Sequence, residues 1–154
     1  MQKIKGLIYK YGYPVIKVYW FFRRPTTAGV RCIVRFENQI LLIRHTYGSV
    51  LRTTVGGGIN KNESPDEAVI REVGEETGIN IENLQKVGIV QSEKEFKKDT
   101  IHVFVATTRE NTLHIDPAEI KEAGWYKVDE LPADISPLFK NFFALAEPFL
   151  PKPF

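Results

Sequence analysis

Cysteine is all but missing from the chain: Cys32 is the single one among 154 residues. One thiol makes neither an internal disulfide nor a zinc cluster. Its place in the apolar run 30–36 suits a buried thiol acting as a small hydrophobe, which fits a reducing, cytoplasmic setting. Histidine is nearly as scarce. His45, His102 and His114 lie far apart, with none of the spacings that read as a metal site, so structural or surface roles are expected of them. An excess of one charge is missing too: 21 basic against 19 acidic residues leave a net charge of +2, too little to build a nucleic-acid-binding field, and no stable nucleic-acid partner is expected. Long apolar runs are absent. In the N-terminal segment the longest clean run is 18–22, short of the roughly 7–15 residues of a secretory signal core and far short of the ~20 that span a bilayer. A hydrophobic fraction of 43% and a charged fraction of 26% are ordinary for a folded domain. The length suits one core, so a soluble single-domain protein is predicted.

Residues 1–25 differ in character from the rest and read as an extension to a domain over 26–154. They are rich in tyrosine, lysine and bulky apolar side chains. Ile4, Ile8, Tyr11, Val15, Val18 and Phe22 recur at steps of four and three, and Lys3, Lys10, Lys17 and Arg24 recur every seven. That spacing predicts an amphipathic helix with a basic face, broken in the middle by Gly12 and Pro14. Such an arm folds back on its own domain, or makes a dimer contact, or makes a weak membrane-surface contact; the protein is thus expected to be a monomer or a homodimer.

A β-branched run over 28–36, the turn signal Glu37-Asn38-Gln39 and the apolar run 40–43 read as a strand hairpin. Residues 52–55 then lead into Gly56-Gly57-Gly58, where backbone can approach closely because side chains are missing. Ser64-Pro65-Asp66-Glu67 is a full capping-box pattern with proline at the first helical position. The helix it opens carries Val69, Ile70 and Val73 on an apolar arc and reaches Gly78, suited to a left-handed helix end. Further strands are predicted at 87–90, 101–107 and 124–128, and a last helix from Ser136-Pro137 to Pro148.

Residues three and four apart share a helix face, so Glu72, Glu75 and Glu76 project from one side. Like charges so close destabilise an isolated helix by about 0.2–0.5 kcal/mol per i,i+4 pair. Bound divalent cations would remove that penalty, and hard oxygen donors suit magnesium or manganese. A solvated acidic face is the plainer reading of a bare Glu-Glu pair. The surroundings decide against it. Gly57 is followed after five residues by Glu63, then after seven by Arg71-Glu72-Val73, then by Glu75-Glu76 and Gly78-Ile79. This pattern resembles the Nudix hydrolase signature at every defining position, a match expected by chance in about one chain in a million.

The resemblance extends more loosely from Thr26 to about Pro132. It implies an α/β (α+β) fold, an α/β/α sandwich with a mixed β-sheet, and magnesium-dependent hydrolysis (Mg2+, with Mn2+ as a substitute) of a pyrophosphate bond. The implied substrate is a nucleoside diphosphate derivative such as a nucleotide sugar or ADP-ribose, or else a nucleoside triphosphate; a catalytically silent nucleotide-binding or scaffold domain is the competing reading. It also implies roles. Glu72 and Glu76 would be principal metal ligands, Glu75 a further ligand or the base, and the Gly56 carbonyl a backbone ligand. Arg71 would hold Glu75, and Glu63 would brace the loop. Glu119 resembles a position where some members carry an additional base or ligand. Val55 and Arg52 depart from the family's usual proline and aromatic residue. Outside the signature, Arg44 and Arg52 are candidate phosphate contacts, and Tyr47 and Phe96 are candidate stacking platforms for a base.

Overall fold

The structure, a computed structural model, describes residues 12, 15, 18, 21, 26–93 and 98–150. The predicted N-terminal arm lies largely outside the described residues, as does Phe96. Within the arm Gly12, Val15, Val18 and Phe21 are helical, and the last three are exposed.

Five strands form one mixed sheet. They are β1 (Thr26–Phe36), β2 (Gln39–His45), β3 (Glu82–Ser92), β4 (Lys98–Thr107) and β5 (Ile120–Lys127), in the order β3-β4-β1-β2-β5. β1 runs parallel to β4, while β2 is antiparallel to β1 and to β5, and β3 is antiparallel to β4. The parallel pair needs a long crossover, and that crossover carries helix α1 (Pro65–Thr77). Helix α2 (Pro137–Ala146) follows β5 and runs into a 3-10 turn at Glu147–Phe149.

Strand alternation sorts the core onto the two faces of the sheet. Cys32, Val34, Leu41, Ile43, Phe104 and Ala106 pack with Val69 and Val73 of α1. Ile33, Ile40, Leu42 and Val105 pack with Phe139 and Ala146 of α2. The result is the predicted α/β/α sandwich, with a helix on each face.

Three expectations need adjusting. β3 extends over the mostly polar residues Glu82 to Lys86 that carry no strand signal; it is an edge strand, and β4 offers it partners as far as Thr107. β5 begins at Ile120 rather than 124, because β2 supplies a pairing edge down to His45. Ile70 is exposed, its position falling beside the buried stripe of Val69 and Val73. Among the described residues no helix is long and apolar enough to cross a membrane, which says nothing about a β-barrel.

Candidate functional site

The site begins where the sheet splits. β1 and β2 pair only beside their turn, at Arg35↔Ile40 and Phe36↔Gln39. Residues 53–58 fill the fork beyond. Cys32 N donates to the Val55 carbonyl at 2.9 Å, Val30 N to the Gly57 carbonyl at 2.9 Å, and Thr53 and Ile43 exchange two bonds at 2.9 Å. Backbone requires glycine at position 56, and at 57 a side chain would have to displace Glu72. Gly56 has φ 138°, and a Cβ there would lie 2.2 Å from the Val30 carbonyl oxygen; at Gly57 it would lie 2.5 Å from Glu72 Oε1.

Helix α1 brings its carboxylates to this loop. Its start is fixed by the reciprocal capping box of Ser64 and Glu67, and its end by Gly78 at φ 71°. Glu76 is only 3% exposed, and its Oε2 accepts the Gly56 N–H at 3.0 Å. Burial pushes its pKa up to about 8, against the Gly56 N–H and the charge of Arg31, which pull it down. Burial also raises Glu72, against its bond from Arg71. Glu75 instead has a side chain 65% exposed and bonds Arg71 at 3.2 Å. The three carboxylates read as converging therefore divide, two facing inward and one outward.

Arg71 is the hub of the loop–helix joint. It donates to Glu63 Oε1 at 2.7 Å and Oε2 at 3.0 Å, to Glu72 Oε1 at 2.8 Å and to the Gly58 carbonyl at 2.9 Å. Glu63 also accepts the Asn60 N–H at 2.8 Å. Arg71 first, and then that N–H, hold its carboxyl below the usual range.

A cavity of about 570 Å³ opens over the loop, lined by Glu72, Glu76, Glu119, Asp99, Arg31, His45 and Tyr47 among others. Glu119 is carried there by a register shift between Arg44 and His45 in the β2–β5 ladder, and by Thr46 N, which donates to the Glu119 carbonyl at 2.9 Å. Shifts of this kind re-aim side chains at sites. His45, expected to be structural or exposed, sits in the cavity wall with Nδ1 3.8 Å from Glu76 Oε1. That is too long for a hydrogen bond. Nor is the contact an ion pair at neutral pH, because burial, and then Arg31, lower the His45 pKa to about 4. Tyr47 lies against His45 with ring centres 5.4 Å apart, and burial followed by the Glu119 charge pushes its pKa up to about 12.

The two arginines read as phosphate contacts are placed elsewhere. Arg44 and Arg52 both bond Asp134; Glu122 accepts from Arg52 at 2.8 Å and lies 3.3 Å from Arg44 Nε. Neither lines the cavity. The arginine that does is Arg31, whose Nη1 donates to the Gly56 carbonyl. The sequence holds one weak signal for it, a charged residue set between the apolar Val30 and Cys32 of β1.

An all-oxygen donor set, Glu72, Glu76, Glu119 and the Gly56 carbonyl, thus surrounds one cavity, and its chemistry fits a hard divalent cation. Among the described residues no three carboxylates, imidazoles or thiolates already stand close enough to hold an ion. Arg71 and Arg31 engage Glu72 and the Gly56 carbonyl as the side chains lie.

The family model described as NUDIX domain matches residues 23–146. A curated relative, the NAD-capped RNA hydrolase NudC of Citrobacter koseri, is 36% identical over 100 residues, covering 64% of this chain and 38% of that protein. The chain thus spans little more than a third of the length of the curated relatives it matches. The MutT NUDIX hydrolase of Burkholderia pseudomallei superposes with a TM-score of 0.71 at 21% identity, over 78% of this chain and 97% of that one. The NUDIX domain of Shewanella oneidensis NrtR, solved with ADP ribose, gives 0.68 at 16% identity, over 80% and 88%. At these identities the two structures bear on the fold alone.

Proposed function

The chain belongs to the Nudix hydrolase family, and we propose that it hydrolyses the pyrophosphate linkage of a nucleoside diphosphate derivative with a divalent cation, magnesium first and manganese as a substitute. One observation carries this reading. A buried carboxyl, Glu76, shares a cavity of about 570 Å³ with Glu72, Glu119 and the Gly56 carbonyl, within the size range of sites for ligands of this class.

Glu72 and Glu76 would hold the cation, with the Gly56 carbonyl alongside. When bound, a cation neutralises the pyrophosphate and lowers the pKa of an attacking water. The chain's own groups do the rest. Glu76, whose burial favours its protonated form, would hold the cation as the carboxylate. Arg71 keeps Glu63, Glu72 and the glycine loop in one rigid frame. Glu119 lines the cavity whereas Glu75 turns outward, so Glu119 is the better placed of the two to take the proton of the attacking water.

The substrate side of the proposal draws on the relative named for NAD-capped RNA, since NAD joins two nucleosides through a pyrophosphate. Dinucleotides therefore stand beside nucleotide sugars and ADP-ribose as first candidates. A screen of these compounds and of nucleoside triphosphates with magnesium, reading phosphate released after phosphatase coupling, tests the reading. Cleavage of the diphosphate derivatives, abolished by EDTA, is expected. Full turnover in excess EDTA would sink the metal dependence, and cleavage of triphosphates alone would shift the assignment to a triphosphate pyrophosphohydrolase.

A further inference from the structure

The charged residues lining the cavity are Glu72, Glu76, Asp99, Glu119 and Arg31. Among the described residues that line it, Arg31 is the one lysine or arginine. A pyrophosphate entering so acidic a space needs positive charge beyond what neutralises the carboxylates. The arginines that sequence spacing offered for this, Arg44 and Arg52, already bond Glu122 and Asp134 outside the cavity.

The placement of Arg31 is itself unusual. Val30 and Cys32 on either side of it are buried on the α1 face of the sheet, and Ile33, which shares its strand face, is buried on the α2 face. A guanidinium set among such neighbours needs a partner. Here it donates to the Gly56 carbonyl, a neutral acceptor, although a guanidinium fork is best matched by two oxygens of an anion. The split between β1 and β2 gives it access to the carboxylates across the sheet: its charge acts on Glu72, Glu76, His45 and Tyr47 alike.

We propose that Arg31 is the phosphate anchor of this site, resting on the Gly56 carbonyl in the free protein and gripping the pyrophosphate of the bound substrate. The inference rests on the hydrolase reading above and adds to it the residue that recognises the diphosphate. It also gives the Gly56 carbonyl two competing partners, the guanidinium and a cation, so that transfer of Arg31 to the substrate would free that oxygen.

Calorimetric titration of inorganic pyrophosphate onto the full chain, in EDTA and with calcium, tests this alongside manganese binding read by electron paramagnetic resonance. Arg31→Met is expected to weaken pyrophosphate roughly 10- to 100-fold and to leave manganese binding at least as strong. Arg31→Lys, which keeps the charge and loses the fork, should recover part of the affinity. Arg44→Met and Arg52→Met should leave pyrophosphate affinity unchanged. Unaltered pyrophosphate affinity in folded Arg31→Met overturns the assignment, as does a loss in Arg44→Met or Arg52→Met equal to it. Should circular dichroism show Arg31→Met unfolded, Arg31→Lys decides: wild-type affinity there overturns the anchor geometry. Failure of the wild-type protein to bind manganese would instead overturn the metal-dependent reading.

Discussion

Helices α1 and α2 press on opposite faces of the same sheet, but they bury different things. α2 buries Phe139, Phe142 and Ala146, and it starts at Ser136 with no side-chain cap. Its place is set by apolar burial. α1 buries Ala68, Val69 and Val73 together with the carboxyl of Glu76, and it starts with a complete capping box. A helix that takes a carboxyl into the core gives up stability there, and capping returns about 1 kcal/mol at its start. The difference separates two tasks within one sheet: α2 is set by apolar burial, with Leu138 and Phe142 adding apolar wall to the cavity, and α1 holds a destabilising group in a fixed position.

Substitutions can break that comparison. The largest expected effect is that of Glu76→Gln. The amide oxygen can still accept the Gly56 N–H, so the helix and loop should stay in place, while turnover should fall roughly 10²- to 10⁴-fold. Circular dichroism and steady-state rates on the same sample check it; an unfolded variant would make Glu76 structural. Phe139→Ala is the mirror case. With Phe139 2% exposed and outside the lining of the cavity, truncation should destabilise the protein by about 3–5 kcal/mol, seen in urea unfolding, and leave kcat of the folded fraction near wild type. A large loss of kcat without a loss of stability would show that Phe139 acts on the site rather than on the core.

The pH dependence of stability sharpens the contrast further. In metal-free protein the folded pKa of Glu76, about 8, lies above the ordinary glutamate value of 4.5. The folded state therefore holds a proton that the unfolded state has released, and stability falls as pH rises between those values. His45 works the other way: its folded pKa of about 4 lies below 6.5, so stability rises with pH across that interval. The two oppose each other below pH 6.5. From 6.5 to 8 only the Glu76 contribution remains, and unfolding free energy in EDTA should decline by an amount on the order of 1–2 kcal/mol. The decline should disappear in Glu76→Gln. A slope that persists in that variant would assign it to another group.

What could be read from sequence follows the range of the interactions. The capping box, the glycine run and the spacing of Arg71, Glu72 and Glu76 are local, and they correctly locate α1 and the loop it faces. The strand hairpin is local too. Partners distant in the chain were not legible. Arg44 and Arg52 looked available for phosphate because Glu122 and Asp134, which hold them, come from β5 and the loop before α2. Arg31 drew no reading and His45 looked structural or exposed, because the split of the sheet that brings them to the cavity depends on residues 53–58 wedging between β1 and β2. Glu75 looked equivalent to its neighbours; helical spacing places it on their side, and only the position of Arg71 shows which way it turns.

The glycine run offers the finest test, because three adjacent alanine substitutions should give three different outcomes. Gly56→Ala puts a Cβ 2.2 Å from the Val30 carbonyl oxygen on a residue at φ 138°. The obstacle is backbone, so the conformation alone should cost about 1–3 kcal/mol, with the clash added. At Gly57 the Cβ would meet Glu72 Oε1 at 2.5 Å, the far end of a side chain that can swing away. Gly57→Ala should therefore keep stability within about 1 kcal/mol of wild type and weaken manganese binding roughly 10- to 100-fold by displacing a carboxylate. Gly58→Ala meets nothing within 4 Å and should change stability by no more than about 0.5 kcal/mol. Thermal unfolding and manganese titration of the three variants separate the effects. If Gly57→Ala unfolds as Gly56→Ala does, the loop is braced at Gly57 by backbone rather than by Glu72; if Gly58→Ala loses manganese, the cation is held nearer the start of α1 than Glu76.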